Sequence, residues 1–338
     1  MAAPTLAGRT PPFRDGAGNI VADSVAEAGS VTLGGVAQWV LIRGRRRANP
    51  LLVILHGGPG SSETALFRAF NSEIEDAFTV VYWDQRGAGR SYRRSLDPAE
   101  LTIERFVADL DELIDFLLAR FGQSKVVLLG HSWGSVLGVI YAQEHPDKVA
   151  VYVGVGQVAD MADSERRSYA FTLAEAEKRG HRGAIRALRR IGPPPHDYRK
   201  VGTERRWLMA FGGAFGPKFS LPRAVWRATR TPESSLLDLV RLVQGSMFSL
   251  KALWPALMAI DFRRDVRRFA TPVVLILGRH DHQVVAEVAA AWFEELEAPR
   301  KALVWLEESG HFLPFEEPAA FNRALLEVVR PLAIEAPS

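Results

Sequence analysis

The chain has 338 residues, 47% of them hydrophobic, enough to bury roughly three-quarters of the unfolded surface in one or two cores, which excludes disorder throughout. Its 42 Lys and Arg against 39 Asp and Glu leave a net charge of only +3, too small a surplus to mark a nucleic-acid binder. The absence of cysteine excludes disulfide frameworks, thiolate metal sites and Cys nucleophiles.

In chain order, residues 1–18 carry scattered Pro and Gly without a basic stretch followed by an apolar one, and read as a flexible tail rather than a signal peptide. Residues 31–33 and 36–42 read as strands around the turn pair Gly34-Gly35. Residues 51–55 and 78–83 are short apolar runs stopped by Gly-rich turns, the pattern of buried parallel strands. Phe106, Leu110, Leu113, Ile114, Leu117 and Phe121 recur at helical spacing, with Gly122 where a C-terminal cap belongs. Residues 126–129 and 149–155 then read as strands around a helix at 133–145, so the rhythm is that of a parallel α/β sheet. It breaks over 157–260, a helical insertion, and resumes with strands at 273–277 and 301–306 and helices at 284–296 and 318–329. The expected organisation is a tail (1–18), a first core part (19–156), a helical cap or lid (157–260) and a second core part (261–338). The most apolar stretch, residues 126–142, is interrupted by His131, Ser132, Trp133, Gly134 and Ser135, short of the ~20 residues of a membrane span. A cytoplasmic chain without membrane or nucleic-acid partners is expected.

Gly130-His131-Ser132-Trp133-Gly134 stands between an apolar strand and a helix. A strand that turns straight into a helix strains Ser132 and lifts its hydroxyl above the sheet. A serine hydroxyl is a weak nucleophile that needs a base, which in turn needs an acid to fix its tautomer. His311, just past the last strand, and Asp281, past the strand before it, lie where their side chains reach the same sheet edge. The glycines of His56-Gly57-Gly58-Pro59-Gly60 let backbone N–H groups approach a developing negative oxygen. Gly58 and Trp133 are the expected oxyanion donors, and His56 supports the loop. His280 and His282 as metal ligands, and Gly154-Val155-Gly156 as a dinucleotide turn, are weaker readings. No metal or cofactor is expected.

On these motifs, with Asp84-Gln85-Arg86-Gly87-Ala88-Gly89-Arg90-Ser91, Gly278-Arg279-His280-Asp281 and Gly310-His311, the chain resembles the α/β-hydrolase superfamily, and within it the prolyl aminopeptidase (proline iminopeptidase) family of serine peptidases. The resemblance spans about residues 50–155 and 271–330. It implies an α/β-hydrolase fold, a mostly parallel sheet flanked by helices with an inserted helical cap, and a catalytic triad of Ser132, Asp281 and His311. Two features of the family pattern are missing: the arginine at the end of the strand after the elbow helix, and a W-x-x-W-E segment in the cap.

The expected activity is hydrolysis of a small ester, amide or short peptide through an acyl-enzyme. A true proline iminopeptidase, an acyltransferase and a non-catalytic ligand receptor are the alternatives. Trp207, Phe211, Phe215, Phe248 and Trp254 are candidates for an apolar lining of the site, and Glu204 and Glu233 for an amine anchor. The insertion holds 18 Lys and Arg against 9 Asp and Glu. A cationic cap is expected to favour neutral or anionic apolar substrates over free amines.

Overall fold

One eight-stranded sheet organises the chain, and the apolar runs buried on both faces form its central strands. The computed structural model describes Leu6, Gly8 and residues 10–336. β1 (Val25–Leu33) and β2 (Val36–Gly44) form an antiparallel hairpin. Its turn residues Gly34 and Gly35 sit at φ 52° and 77°, the left-handed pair that a two-residue turn requires. β3 (Leu51–Leu55), β4 (Thr79–Trp83), β5 (Val126–His131), β6 (Val149–Val155), β7 (Val273–Gly278) and β8 (Lys301–Leu306) complete the order β1-β2-β4-β3-β5-β6-β7-β8. β2 pairs antiparallel with β4, and all pairs from β4 onward are parallel. The chain reverses direction across the sheet between β3 and β5, so the loops leaving those two strands flank a crevice at the carboxyl edge.

Helices cover both faces. α1 (Thr64–Phe70) packs on one face through Phe67. α2 (Ile103–Phe121) buries its 3–4 spaced stripe on the other, begins where Thr102 Oγ1 accepts from Arg105 N–H at 3.2 Å, and ends at Gly122 with φ 64°. α3 (Trp133–Glu144) is buried along most of its length. It lies so close to the sheet that a Cβ on Gly138 would stand 2.5 Å from the Tyr152 ring.

Between β6 and β7 run α4 (Met161–Lys178), α5 (Arg182–Ile191), α6 (Tyr198–Ala210), α7 (Leu221–Ala228), α8 (Leu236–Met258) and α9 (Phe262–Asp265). α4 to α6 share a small core of Tyr169, Ala176, Ala184, Leu188 and Phe211. The carboxyl half of α8 joins the main core through Leu253, Trp254 and Leu257. α10 (Ala286–Glu295), α11 (Leu313–Glu316) and α12 (Pro318–Ala324) follow. The helix expected over 318–329 loosens after Ala324 into a wider turn over Leu325–Val329.

Within the segment expected to be a flexible tail, most described residues are exposed and three points touch the sheet. Gly8 N–H donates to Ala28 O at 2.7 Å, Arg43 Nη1 reaches Pro11 O at 2.8 Å, and Phe13 is buried beneath the Arg43 guanidinium. These contacts come from β1 and β2, distant partners that Pro and Gly content does not reveal. The remainder of residues 1–9 lies outside the described residues.

Candidate active site

Ser132 joins β5 to α3 at φ 53° and ψ −120°, and among the described residues it is the one non-glycine with positive φ. Such a backbone persists only where its surroundings hold it. Here Ser132 N–H donates to Val155 O at 2.9 Å and Ser135 Oγ donates to Ser132 O at 2.6 Å. Ser132 Oγ lies 2.9 Å from His311 Nε2, and His311 Nδ1 lies 2.7 Å from Asp281 Oδ2. The other Asp281 oxygen accepts the N–H groups of Gln283 and Val284, both at 2.9 Å. The carboxylate is thus a turn-former and a histidine partner at once. All three side chains are buried.

The loop after β3 abuts this serine. A Cβ on Gly57 would stand 3.2 Å from Ser132 Cβ. Glu63 Oε2 takes the Gly57 N–H at 3.2 Å. Trp133 opens α3, so its N–H has no partner within the helix. His56 is a loop support as expected from sequence: Nδ1–H donates to Gly57 O at 2.8 Å and Nε2 accepts Gln85 N–H at 3.2 Å.

The stretch after α6 closes over the histidine side. Ala214 O accepts from His311 N–H and Gly213 O from His282 N–H, both at 2.9 Å. Glu316 joins these loops by accepting three backbone N–H groups: Gly216 at 2.5 Å, Gly310 at 3.2 Å and Phe312 at 2.9 Å. Burial pushes its carboxyl up to about 7 despite those donors. On the opposite side α8 rests on the glycine loops, with Ser246 Oγ 2.8 Å from Ser61 Oγ.

Of the seven residues expected to meet substrate, the structure brings Phe215 and Phe248 to the loops around Ser132. Phe215 packs on Phe312 at 5.1 Å, beside His311, and Phe248 packs on Tyr92 at 5.7 Å beside Gly87. The other five make their contacts elsewhere. Trp207 and Phe211, one helical turn apart, stack at 5.8 Å within the small α4–α6 core. Trp254 Nε1–H donates to His196 O at 2.8 Å. Glu204 is buried against Arg205, Ser168 and Thr172, and Glu233 against Arg68 and Thr10, so both carboxylates are already matched. His282 stacks face to face on Phe171 at 3.8 Å.

Glu63, His131 and Glu316 carry no sequence signal that singles them out as partners of the site. His131 lies inside the serine motif, yet nothing local announces a partner 68 positions away; Glu63 Oε1 is 2.7 Å from its Nδ1.

Residues 50–181 match the family described as alpha/beta hydrolase fold. The probable aminopeptidase YbaC of Bacillus subtilis is 33% identical over 304 residues, 89% of this chain and 96% of that protein. A probable proline iminopeptidase of Streptomyces coelicolor is 40% identical over 108 residues, 31% of this chain and 32% of that protein. Among solved structures, the proline iminopeptidase-related protein of Thermus thermophilus superposes with TM-score 0.62 at 23% identity, over 92% of this chain and 99% of that one. That of the Mycobacterium smegmatis proline iminopeptidase gives 0.59 at 17%, over 92% and 100%. No helix of the described residues is long and apolar enough to cross a membrane. With the sheet order, the serine elbow and a relative matched over nearly its whole length, the chain belongs to the α/β-hydrolase family, among its prolyl aminopeptidase-like members, and is a hydrolase.

Proposed function

We propose that the protein is a serine hydrolase that cleaves a small ester or amide through an acyl-enzyme. The observation that carries this reading is the continuous chain from Ser132 Oγ to His311 at 2.9 Å and from His311 to Asp281 at 2.7 Å. Ser132 Oγ attacks the carbonyl carbon while its proton passes to His311 Nε2, and Asp281 holds the ring's Nδ1–H and offsets the charge that forms. The Gly58 and Trp133 N–H groups receive the developing oxyanion. His311 then returns the proton to the departing alcohol or amine. Water then attacks the acyl-serine and gives a proton to His311, which passes it to Ser132 Oγ as the acid departs.

The helices between β6 and β7 act in this reading as a cap over residues 157–260, with Phe215 and Phe248 lining the approach. The core is then split into 19–156 and 261–338. Substrate preference follows from charge. Holding a protonated α-amine out of water requires an unmatched carboxylate. Glu204 and Glu233 are each paired with arginine, and the cap has twice as many basic as acidic residues. Neutral or anionic apolar esters and amides are the proposed substrates.

The names of the relatives favour a second reading, release of N-terminal residues from peptides. Comparing kcat/KM for a free proline arylamide, its N-acylated form and an uncharged aryl ester separates the two. Preference for the ester or the acylated arylamide supports the proposal, and preference for the free amine overturns its selectivity part. A fluorophosphonate that fails to label Ser132 overturns the mechanism.

A further inference from the structure

Two buried histidines border the serine loop, and their ring nitrogens meet different partners. His56 faces one acceptor, Gly57 O, and one donor, Gln85 N–H. A neutral ring satisfies both, and burial lowers its pKa. His131 faces acceptors on both sides: the Glu63 carboxylate 2.7 Å from Nδ1 and the His311 backbone carbonyl 2.9 Å from Nε2. A neutral imidazole carries a single N–H, so it would set a lone pair against one of these oxygens. Leaving buried acceptors unmatched is costly, whereas two N–H groups satisfy both.

We infer that His131 is an imidazolium at neutral pH, ion-paired with Glu63, and that the pair is a positioning device which ties the oxyanion loop to the backbone of the triad histidine. The inference rests on the reading of Ser132 as nucleophile. The connection runs from Gly57 N–H to Glu63, from Glu63 to His131, and from His131 to His311 O. It therefore crosses from the loop after β3 to the loop after β8 through the residue that immediately precedes Ser132. Oxyanion donors and general base sit on separate loops, and catalysis requires them placed together to a fraction of an ångström.

The titratable and charged groups that face the His131 ring are consistent with this state. Glu63 and Asp281 contribute negative charge, His56 is neutral, and the His311 ring lies 5.1 Å away, centre to centre. The Phe312 and Phe315 rings meet His131 edge to face. Burial pulls the His131 pKa down, but the charge and hydrogen bond of Glu63, with the His311 carbonyl and Asp281, more than offset it, and it stands above the ordinary histidine value. Loss of a proton at higher pH leaves either Glu63 or the His311 carbonyl without its donor.

The experiment combines 15N NMR of the histidine rings with the pH dependence of fluorophosphonate labelling in the full-length protein. The His131 signal, assigned by its loss in His131→Asn, is expected to show both nitrogens protonated at pH 7, and a neutral ring there overturns the inference. Glu63→Gln removes the charge. It should neutralise the ring, move the alkaline limb of labelling down by about one pH unit or more and slow labelling at pH 7.5 about tenfold. Glu63→Asp, which keeps the charge, should restore the double protonation. An alkaline limb unmoved in a folded Glu63→Gln protein overturns the positioning role. If the native protein is not labelled at all, the nucleophile reading falls, while the ring signature still decides the charge state of His131.

Discussion

Gly134, two residues past the nucleophile, offers a demanding test of the elbow, because replacing it with alanine sets a favourable local effect against an unfavourable tertiary one. In a helix, Ala is preferred to Gly by about 1 kcal/mol, so local propensity predicts a more stable protein. The structure predicts the opposite. A Cβ on Gly134 would stand 2.6 Å from the Leu55 carbonyl carbon and 2.9 Å from His56 O, where ordinary contact begins at 3.4 Å. These are backbone atoms at the end of β3 and cannot rotate aside, and the Leu55 carbonyl oxygen would lie closer still, so helix and strand must separate by more than the 0.8 Å shortfall from 2.6 to 3.4 Å. Overpacking costs about 1–3 kcal/mol in typical cases and more where backbone is met head-on, so net stability falls by about 2 kcal/mol or more. The displaced strand leads straight into Gly57 and Gly58, and a displacement near 1 Å between reacting groups costs about a hundredfold in rate. Gly134→Ala should therefore melt below the native protein and react with fluorophosphonate more slowly by about a hundredfold or more. Gly202→Ala is the control, since nothing lies within 4 Å of a Cβ there; it should be neutral or stabilising and label at the native rate. A Gly134→Ala protein that labels at the native rate would refute the close approach of α3 to the oxyanion loop.

Ser132→Ala should abolish fluorophosphonate labelling and lower kcat/KM by several orders of magnitude, with any residue of activity due to binding and oxyanion stabilisation alone; near-native turnover would remove Ser132 from the mechanism. Asp109→Ala should destabilise the protein by up to about 3–5 kcal/mol in urea unfolding, because it removes the buried carboxylate that holds the Arg86 guanidinium through two hydrogen bonds, at 2.8 and 3.0 Å, and leaves that buried cation only the exposed Glu100 and backbone carbonyls; an unchanged midpoint would contradict that pairing. Glu316, held up to about 7 by burial, binds its proton more tightly in the folded protein than unfolded. Its contribution to stability is therefore full below the ordinary carboxyl range and is lost as pH rises through about 7, on the order of 1–3 kcal/mol. Thermal melting of Glu316→Gln from pH 5 to 8 should lack that decline, and a decline equal to that of the native protein would assign it to other groups. Phe248→Ala should raise KM for an apolar aryl ester more than it lowers kcat, and an unchanged KM would take Phe248 off the substrate path.

Much of the core is legible in the chain because its signals are local. The strand at Lys301–Leu306 and the helix ending at Gly122 follow from runs and periodicities that each segment carries by itself. The serine motif is readable for the same reason, since strand, Ser132 and helix are contiguous. Asp281 and His311 are legible in a weaker sense: their positions after successive strands put them at one sheet edge, but only the fold brings their atoms to 2.7 Å. What the chain conceals is pairing between distant loops. Glu233 reads as a free anchor until the tertiary structure sets Arg68, 165 positions away, beside it. Trp207 and Phe211 read as substrate-facing until α5 and α6 pack together. The packing of Phe13, the three backbone donors of Glu316 and the meeting of Glu63 with His131 follow the same pattern. Periodicity states that a side chain is apolar or charged. Which neighbour it meets depends on how the sheet orders its strands, because loops far apart in sequence converge only where those strands end together.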